Sequence, residues 1–114
     1  MKFVDSHHSQ LLARAMDSYT LRQRVTAGNI ANADTPGFNK HRVDFEEELQ
    51  RVKNSDGVRG MKEVTPSIVE TDQKIELEDE LLEMADTQAR VQLVTRSLRH
   101  HFEMLKNGIT GINR

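Results

Sequence analysis

From Leu77 to Ile112 one set of positions alternates four and three residues apart without a break: Leu77, Leu81, Met84, Gln88, Val91, Thr95, Leu98, Phe102, Leu105, Ile109 and Ile112. Seven residues in two steps falls slightly short of two full helical turns. Such a run therefore predicts one long helix whose stripe winds left-handedly against a partner helix. The charges agree with a single helix. Asp72, Glu76, Glu78, Asp79, Glu80, Glu83 and Asp86 make its beginning acidic, and Arg90, Arg96, Arg99 and Lys106 make the rest basic, which suits the macrodipole.

A partner lies in the same chain. From Ser6 to Ala33 the residues Leu12, Met16, Tyr19, Gln23, Thr26 and Ile30 share one helical face, with Leu21 and Val25 roughly opposite. Thr35-Pro36-Gly37 must end that helix: the residue before proline disfavours helix, proline lacks a donor, and glycine permits positive φ. A type II turn centred on Pro36 and Gly37 is expected. Two long helices joined by a short middle predict a mainly α fold, an antiparallel coiled-coil hairpin, with Gln23, Thr26, Gln88 and Thr95 fixing its register. In the middle, "VDFEEEL" reads as a short helical turn, "KNSDGVRG" as a loop and "EVTPSIVET" as a brief strand that Pro66 confines to an edge. The chain thus divides into residues 1–37, an irregular and partly β segment 38–74, and the helix 75–114. Because Glu76 is a poor N-cap, the last helix is expected to start near Thr71 or Asp72.

Composition narrows the class. The 114 residues carry a net charge of -2 with both signs interspersed, so there is no basic stripe for nucleic acid. Aromatics are few, Phe3, Phe38, Phe45, Phe102 and Tyr19 with no Trp, which favours an extended helical protein that completes its burial against neighbours. With no Cys, neither a disulfide nor a thiolate metal site can form. No apolar run is long enough for a cleavable signal or a membrane span, so export would need a route that reads no such signal.

Chemistry-bearing groupings are sparse. His7-His8 and His100-His101 are adjacent pairs that point about 100° apart on a helix, unsuited to chelating one ion. The acids of "IELEDELLE" have the plainer role of stabilising a helix start. No nucleophile triad or phosphate-binding loop is present. The expectation is a non-enzymatic protein without cofactor or metal. Leu82, Leu93 and Met104 lie off the seam; with Leu21 and Val25 they give each helix a second apolar side, suited to lateral packing, unless they are scattered surface residues.

The most distinctive stretch is "AGNIANADTPGF". Asn29-Ile30-Ala31-Asn32 followed by Thr35-Pro36-Gly37-Phe38 resembles the signature of the bacterial flagellar axial proteins, and most closely that of proximal basal-body rod proteins. "VDFEEEL" and "IELEDELLEMADTQARVQLVTRSL" are similar to further segments of that family. The resemblance implies a structural subunit that assembles with itself and homologous rod proteins into the helical periplasmic shaft. It further implies a rod-base adaptor and the flagellar export gate as neighbours, and a place in the basal body reached without a cleavable signal peptide. Ala27, Gly28 and Ala31 would admit a close neighbour, and Asn29 and Asn32 would bridge backbone groups between subunits or simply terminate the helix. Phe45 and Leu49 resemble the Phe-x-x-x-aliphatic pattern that early substrates present to the export gate; alternatively they pack against the hairpin. A cytosolic helical adaptor that binds one partner helix is the alternative function, and a single soluble partner in a pull-down would distinguish it.

Overall fold

In a computed structural model the chain is described over residues 6–111. The elements are α1 (Ser6–Ala31), β1 (His41–Asp44), α2 (Glu46–Asp56), a single turn α3 (Val58–Met61), β2 (Ser67–Glu70) and α4 (Leu77–Gly111). α1 and α4 lie antiparallel along each other. The direction is fixed by contacts whose numbers run oppositely, Gln23 Nε2 to Gln88 Oε1 at 2.8 Å and Asn29 Nδ2 to Glu80 Oε1 at 2.6 Å. Of the four polar residues expected to fix register, Gln23 and Gln88 bond across the helices, whereas the Thr95 hydroxyl is turned to Val91 O of its own helix at 2.7 Å.

The middle segment is a small antiparallel ribbon with a helical excursion. β1 pairs with β2 in the register His41↔Glu70 to Asp44↔Ser67, and β2 begins immediately after Pro66, where the missing donor does no harm. Beyond the ribbon, Lys40 N donates to Gln73 O at 2.8 Å, and Thr71 sends both its N–H (2.9 Å) and its hydroxyl (2.7 Å) to Lys40 O. These bonds hold residues 71–73 out of helix, with a bend at Asp72. Hence α4 starts at Leu77 rather than near Thr71 or Asp72, with Glu80 N bonded back to Glu76 O at 3.1 Å.

The loop expected at "KNSDGVRG" is mostly helix. α2 continues to Asp56, with Glu46, Glu47 and Glu48 in its first turn, and stops at Gly57, whose φ is 74°. Lys, Asn, Ser and Asp followed by Gly are the residues of a helix end as much as of a loop, so composition alone misreads them. α3 folds straight back: a Cβ on Gly60 would come within 2.8 Å of Val52 Cγ1, so glycine permits the close turn.

The interface between the long helices differs from the expected seam. Its buried residues are Ser18, Thr26 and Asn29 on α1, and Glu80, Thr87 and Val94 on α4, the latter three spaced seven apart. Met84, Val91, Leu98 and Leu105 remain half-buried beside this strip, as do Leu12, Met16, Tyr19 and Ile30. Leu77, Leu81 and Phe102, placed in the seam by their spacing, are 50%, 51% and 59% exposed. α4 is rotated about its axis relative to the heptad pattern because its first turns are held by Asn29 on Glu80 and by Arg22 near Glu83 (3.7 Å). The side chain of Ile109, and all of Ile112, fall outside the described residues. Among the described residues the buried apolar ones are few, Val43, Phe45, Val64 and Val94.

The molecule is long and thin. It measures 64 × 31 × 14 Å with a radius of gyration of 17.8 Å, against about 13 Å for a compact chain of this length. Its accessible surface, 8162 Å², exceeds the ~6,400 Å² expected of a compact monomer of its mass. The surplus is about two partner-sized patches of a standard interface.

Because the strip and not the apolar heptad is buried, two substitutions should part company. Val94→Asp places a carboxylate in the helix interface and should destabilise the chain on the order of several kcal/mol. Phe102→Asp lies on an exposed flank and should change stability by less than about 0.5 kcal/mol. Urea titration followed by circular dichroism separates them; equal losses would return Phe102 to the interface.

Candidate assembly site

The last turns of α1, the turn that follows, the start of β1 and the start of α4 meet at one corner. Asn29 is 1% exposed there. Its Oδ1 accepts His41 N at 3.0 Å while its Nδ2 donates to His41 O at 2.8 Å and to Glu80 Oε1 at 2.6 Å. The side-chain amide therefore stands in for a neighbouring strand, closing both backbone groups of the first β1 residue. Only an amide of this length offers acceptor and donors together. Glu80 is equally buried, and Lys40 Nζ lies 3.1 Å from its Oε2. That contact is ionic and lacks the alignment of a hydrogen bond.

Asn32 completes the end of α1. Its Nδ2 donates to Gly28 O at 2.9 Å and its Oδ1 accepts the Thr35 hydroxyl at 3.1 Å, so Gly28 O, which already accepts Asn32 N at 3.0 Å, receives a second donor from the same residue. Gly37 has φ 80° and Phe38 N bonds to Thr35 O at 3.2 Å. With proline before it, this is a type II turn. Both amides of the motif thus bond inside the chain rather than pointing outward. The small residues do the opposite: Ala27 and Ala31 are exposed, and a Cβ on Gly28 would meet nothing within 4 Å. The motif has an inner half that builds the corner and an outer half that the chain itself leaves uncovered.

Arg22 is a residue of this candidate site that sequence reasoning missed. Its guanidinium grips Glu46 twice, Nη1 to Oε2 at 2.9 Å and Nη2 to Oε1 at 2.6 Å, and Nη2 also reaches Val43 O at 3.4 Å. It stacks 5.9 Å from the Tyr19 ring. The hydrogen bond from Arg22 holds the Glu46 carboxyl below its ordinary range, and Glu46 in turn raises the guanidinium. Arg22 sits on the same face as Ser18 and Asn29, and that shared polar face was the available signal.

A cleft of about 230 Å³ between α1, β1 and α4 is lined by Arg22, Lys40, His41, Gln73, Glu80 and Glu83. Its charges largely pair with one another. Phe45, one of the two export-pattern residues, is 2% exposed in the small core and Leu49 is half-buried. The side chains of His7 and His8 fall outside those described, and among the described residues no three His, Asp or Glu side chains are grouped to hold a metal. No described helix is long and apolar enough to cross a membrane.

A family model described as "Flagella basal body rod protein" matches residues 11–39, which span most of α1 and the whole corner turn. The flagellar basal body rod protein FlgB of Borrelia hermsii is 32% identical over 119 aligned residues, covering 82% of this chain and 88% of the relative. This chain belongs to the FlgB family of flagellar basal body rod proteins. FlgB of Borreliella burgdorferi is 27% identical over 81% of the chain and 87% of its own length. FlgB of Escherichia coli is 50% identical over a shorter match, 33% of the chain and 28% of its own length. The FlgB family is a structural one, in keeping with a corner whose polar groups are spent on holding elements together.

Asn29→Ala should cost about 1–3 kcal/mol, because two His41 backbone groups and Glu80 lose their partner. Asn29→Asp should cost more at neutral pH, since it sets a second carboxylate against Glu80, and should recover as acid protonates one of the two. Urea titrations at pH 7 and pH 4 read both; a Asn29→Asp variant as stable as wild type at pH 7 would falsify the corner geometry.

Proposed function

We propose that this chain is a structural subunit of the proximal flagellar rod, assembling with itself and with homologous rod proteins into the helical shaft that crosses the periplasm and supports motility. The observation that carries this is the division of the motif: inward amides lock the corner, while Ala27 and Ala31 are exposed beside half-buried Gly28, whose missing Cβ would meet nothing within 4 Å, so the surface is low in profile. A neighbouring helix can approach such a surface closely. Family membership, the surplus of accessible surface and the thin core support the same reading.

Gly28→Leu tests it without harming the subunit. The first added carbon meets nothing within 4 Å, and exchanging glycine for leucine inside a helix should gain about 0.5–1 kcal/mol. Expected is a folded, slightly more stable protein that no longer co-fractionates with basal bodies and fails to restore swimming to a strain deleted for its own gene. Normal swimming would reject these small residues as the assembly surface, and capture of one soluble partner with no basal-body fraction would favour an adaptor.

On this proposal the rod-base adaptor and the export gate are neighbours at assembly. A gate that reads Phe45 and Leu49 must do so before folding, since Phe45 is closed off in the folded chain. Phe45→Ala also removes a buried ring worth about 3–5 kcal/mol. Under gate recognition the variant should accumulate in the cytoplasm; under packing alone it should be exported and fail to assemble. Fractionation of a strain lacking later rod proteins decides, and wild-type export levels would rule out recognition through Phe45.

A further inference from the structure

The two edges of the β1–β2 ribbon are finished differently. Asn29 takes both backbone groups of His41, so these point away from β2. One residue earlier, Lys40 O points toward the β2 side and accepts Thr71 N at 2.9 Å. Backbone direction alternates in this way along an antiparallel pair. Val43 therefore also points away from β2, and there Arg22 Nη2 reaches its carbonyl at 3.4 Å. Side chains of α1 thus close the outer edge of β1.

The outer edge of β2 has no such cover. The register His41↔Glu70 and Val43↔Ile68 makes Glu70 and Ile68 the β2 residues whose backbone groups point away from β1. Among the described residues the sheet has no third strand, and no turn or loop bond reaches either residue. The Ile68 side chain is 52% exposed. An unpaired edge beside an uncovered aliphatic side chain is a template for one more strand.

Charge at one end of the edge states what that strand carries. Where β2 begins, a recess of about 510 Å³ lies between α2, α3 and residues 63–67. Glu48, Asp56 and Glu63 line it with Val52 and Val64, and among the described side chains no Lys or Arg does. Glu48 is engaged by Arg51 of its own helix. Asp56 and Glu63 are exposed, and among the described residues neither has an ion pair. Acids of one sign set against apolar walls focus their field on an incoming cation. Laid antiparallel, a second copy's β2 would bring its own Glu70 and Asp72 toward this recess, acid against acid.

We propose that the outer edge of β2 binds an extended basic segment of a partner protein, which pairs its backbone with Ile68 and Glu70 and sets a Lys or Arg side chain in the recess of Asp56 and Glu63. Main-chain bonds supply the affinity and the recess supplies the selectivity. The proposal does not depend on the rod role.

Two synthetic peptides titrated into the isotope-labelled full-length chain test this. Both begin with alternating valine and threonine; one ends in two arginines, the other in two glutamates. With the arginine peptide the amide signals of Ile68 and Glu70 should shift and exchange more slowly with solvent. The glutamate peptide should bind at least tenfold more weakly, and high salt should narrow the difference. Ile68→Pro removes an outward donor and none from the β1 ladder, so the circular dichroism should be kept and the arginine peptide bound at least tenfold more weakly. Asp56→Lys with Glu63→Lys, both at exposed positions, should reverse the preference between the peptides. No binding of the arginine peptide at millimolar concentration, equal binding of both peptides, or an unreversed preference in the double variant each overturns the proposal. Self-association of the peptide-free chain through the Ile68 and Glu70 amides would assign the edge to a second copy and overturn it as well.

Discussion

The amide of Asn29 is the constraint on which the rest of the molecule turns. By accepting from and donating to the same backbone unit of His41, it decides where β1 starts relative to α1, and hence where the ribbon lies. By donating to Glu80, it sets the rotation of α4 about its axis. A buried carboxylate is an expensive way to hold two helices, and an apolar pair of similar size is often as stable. What the polar cluster provides is a single geometry: Lys40, Asn29 and Glu80 come from three different segments and fit together in one arrangement.

That rotation has a second effect. It turns hydroxyls and small residues inward, so that Ser18 and Thr87 are fully buried, and turns leucines outward. Small side chains let the helices lie close, but they bury little apolar area. Since burial contributes roughly 25 cal/mol per Å² of apolar surface, the hairpin draws less from its own interface than its heptads suggest. The apolar area it does not use is carried on the outside, along the sides of α4.

Much of the architecture was legible in the residues. The two helices, their antiparallel packing, the type II turn at Pro36-Gly37 and a strand after Pro66 all follow from period and turn chemistry, which act locally. The rotation of α4 was not legible, because periodicity shows that a stripe exists without showing which of two adjacent stripes a partner will choose. Here a hydrogen bond between residues 51 positions apart made the choice. The extension of α2 was hidden for a different reason: Lys53 to Gly57 is chemically both a helix end and a loop. The motif's position was plain, but its division into an inner and an outer half needed coordinates, since Asn and Gly alternate along a helix without announcing which way each points.

The 14 Å dimension of the molecule is barely more than one helix with its side chains. Little surface is therefore sealed from water in the lone chain, and correspondingly little is newly hydrated when it opens. Both the heat-capacity increment and the denaturant slope of unfolding scale with that newly hydrated area. A chain this flat has a shallow stability curve, broad in temperature and in urea, and straightening it out costs little work compared with a globular domain of equal length.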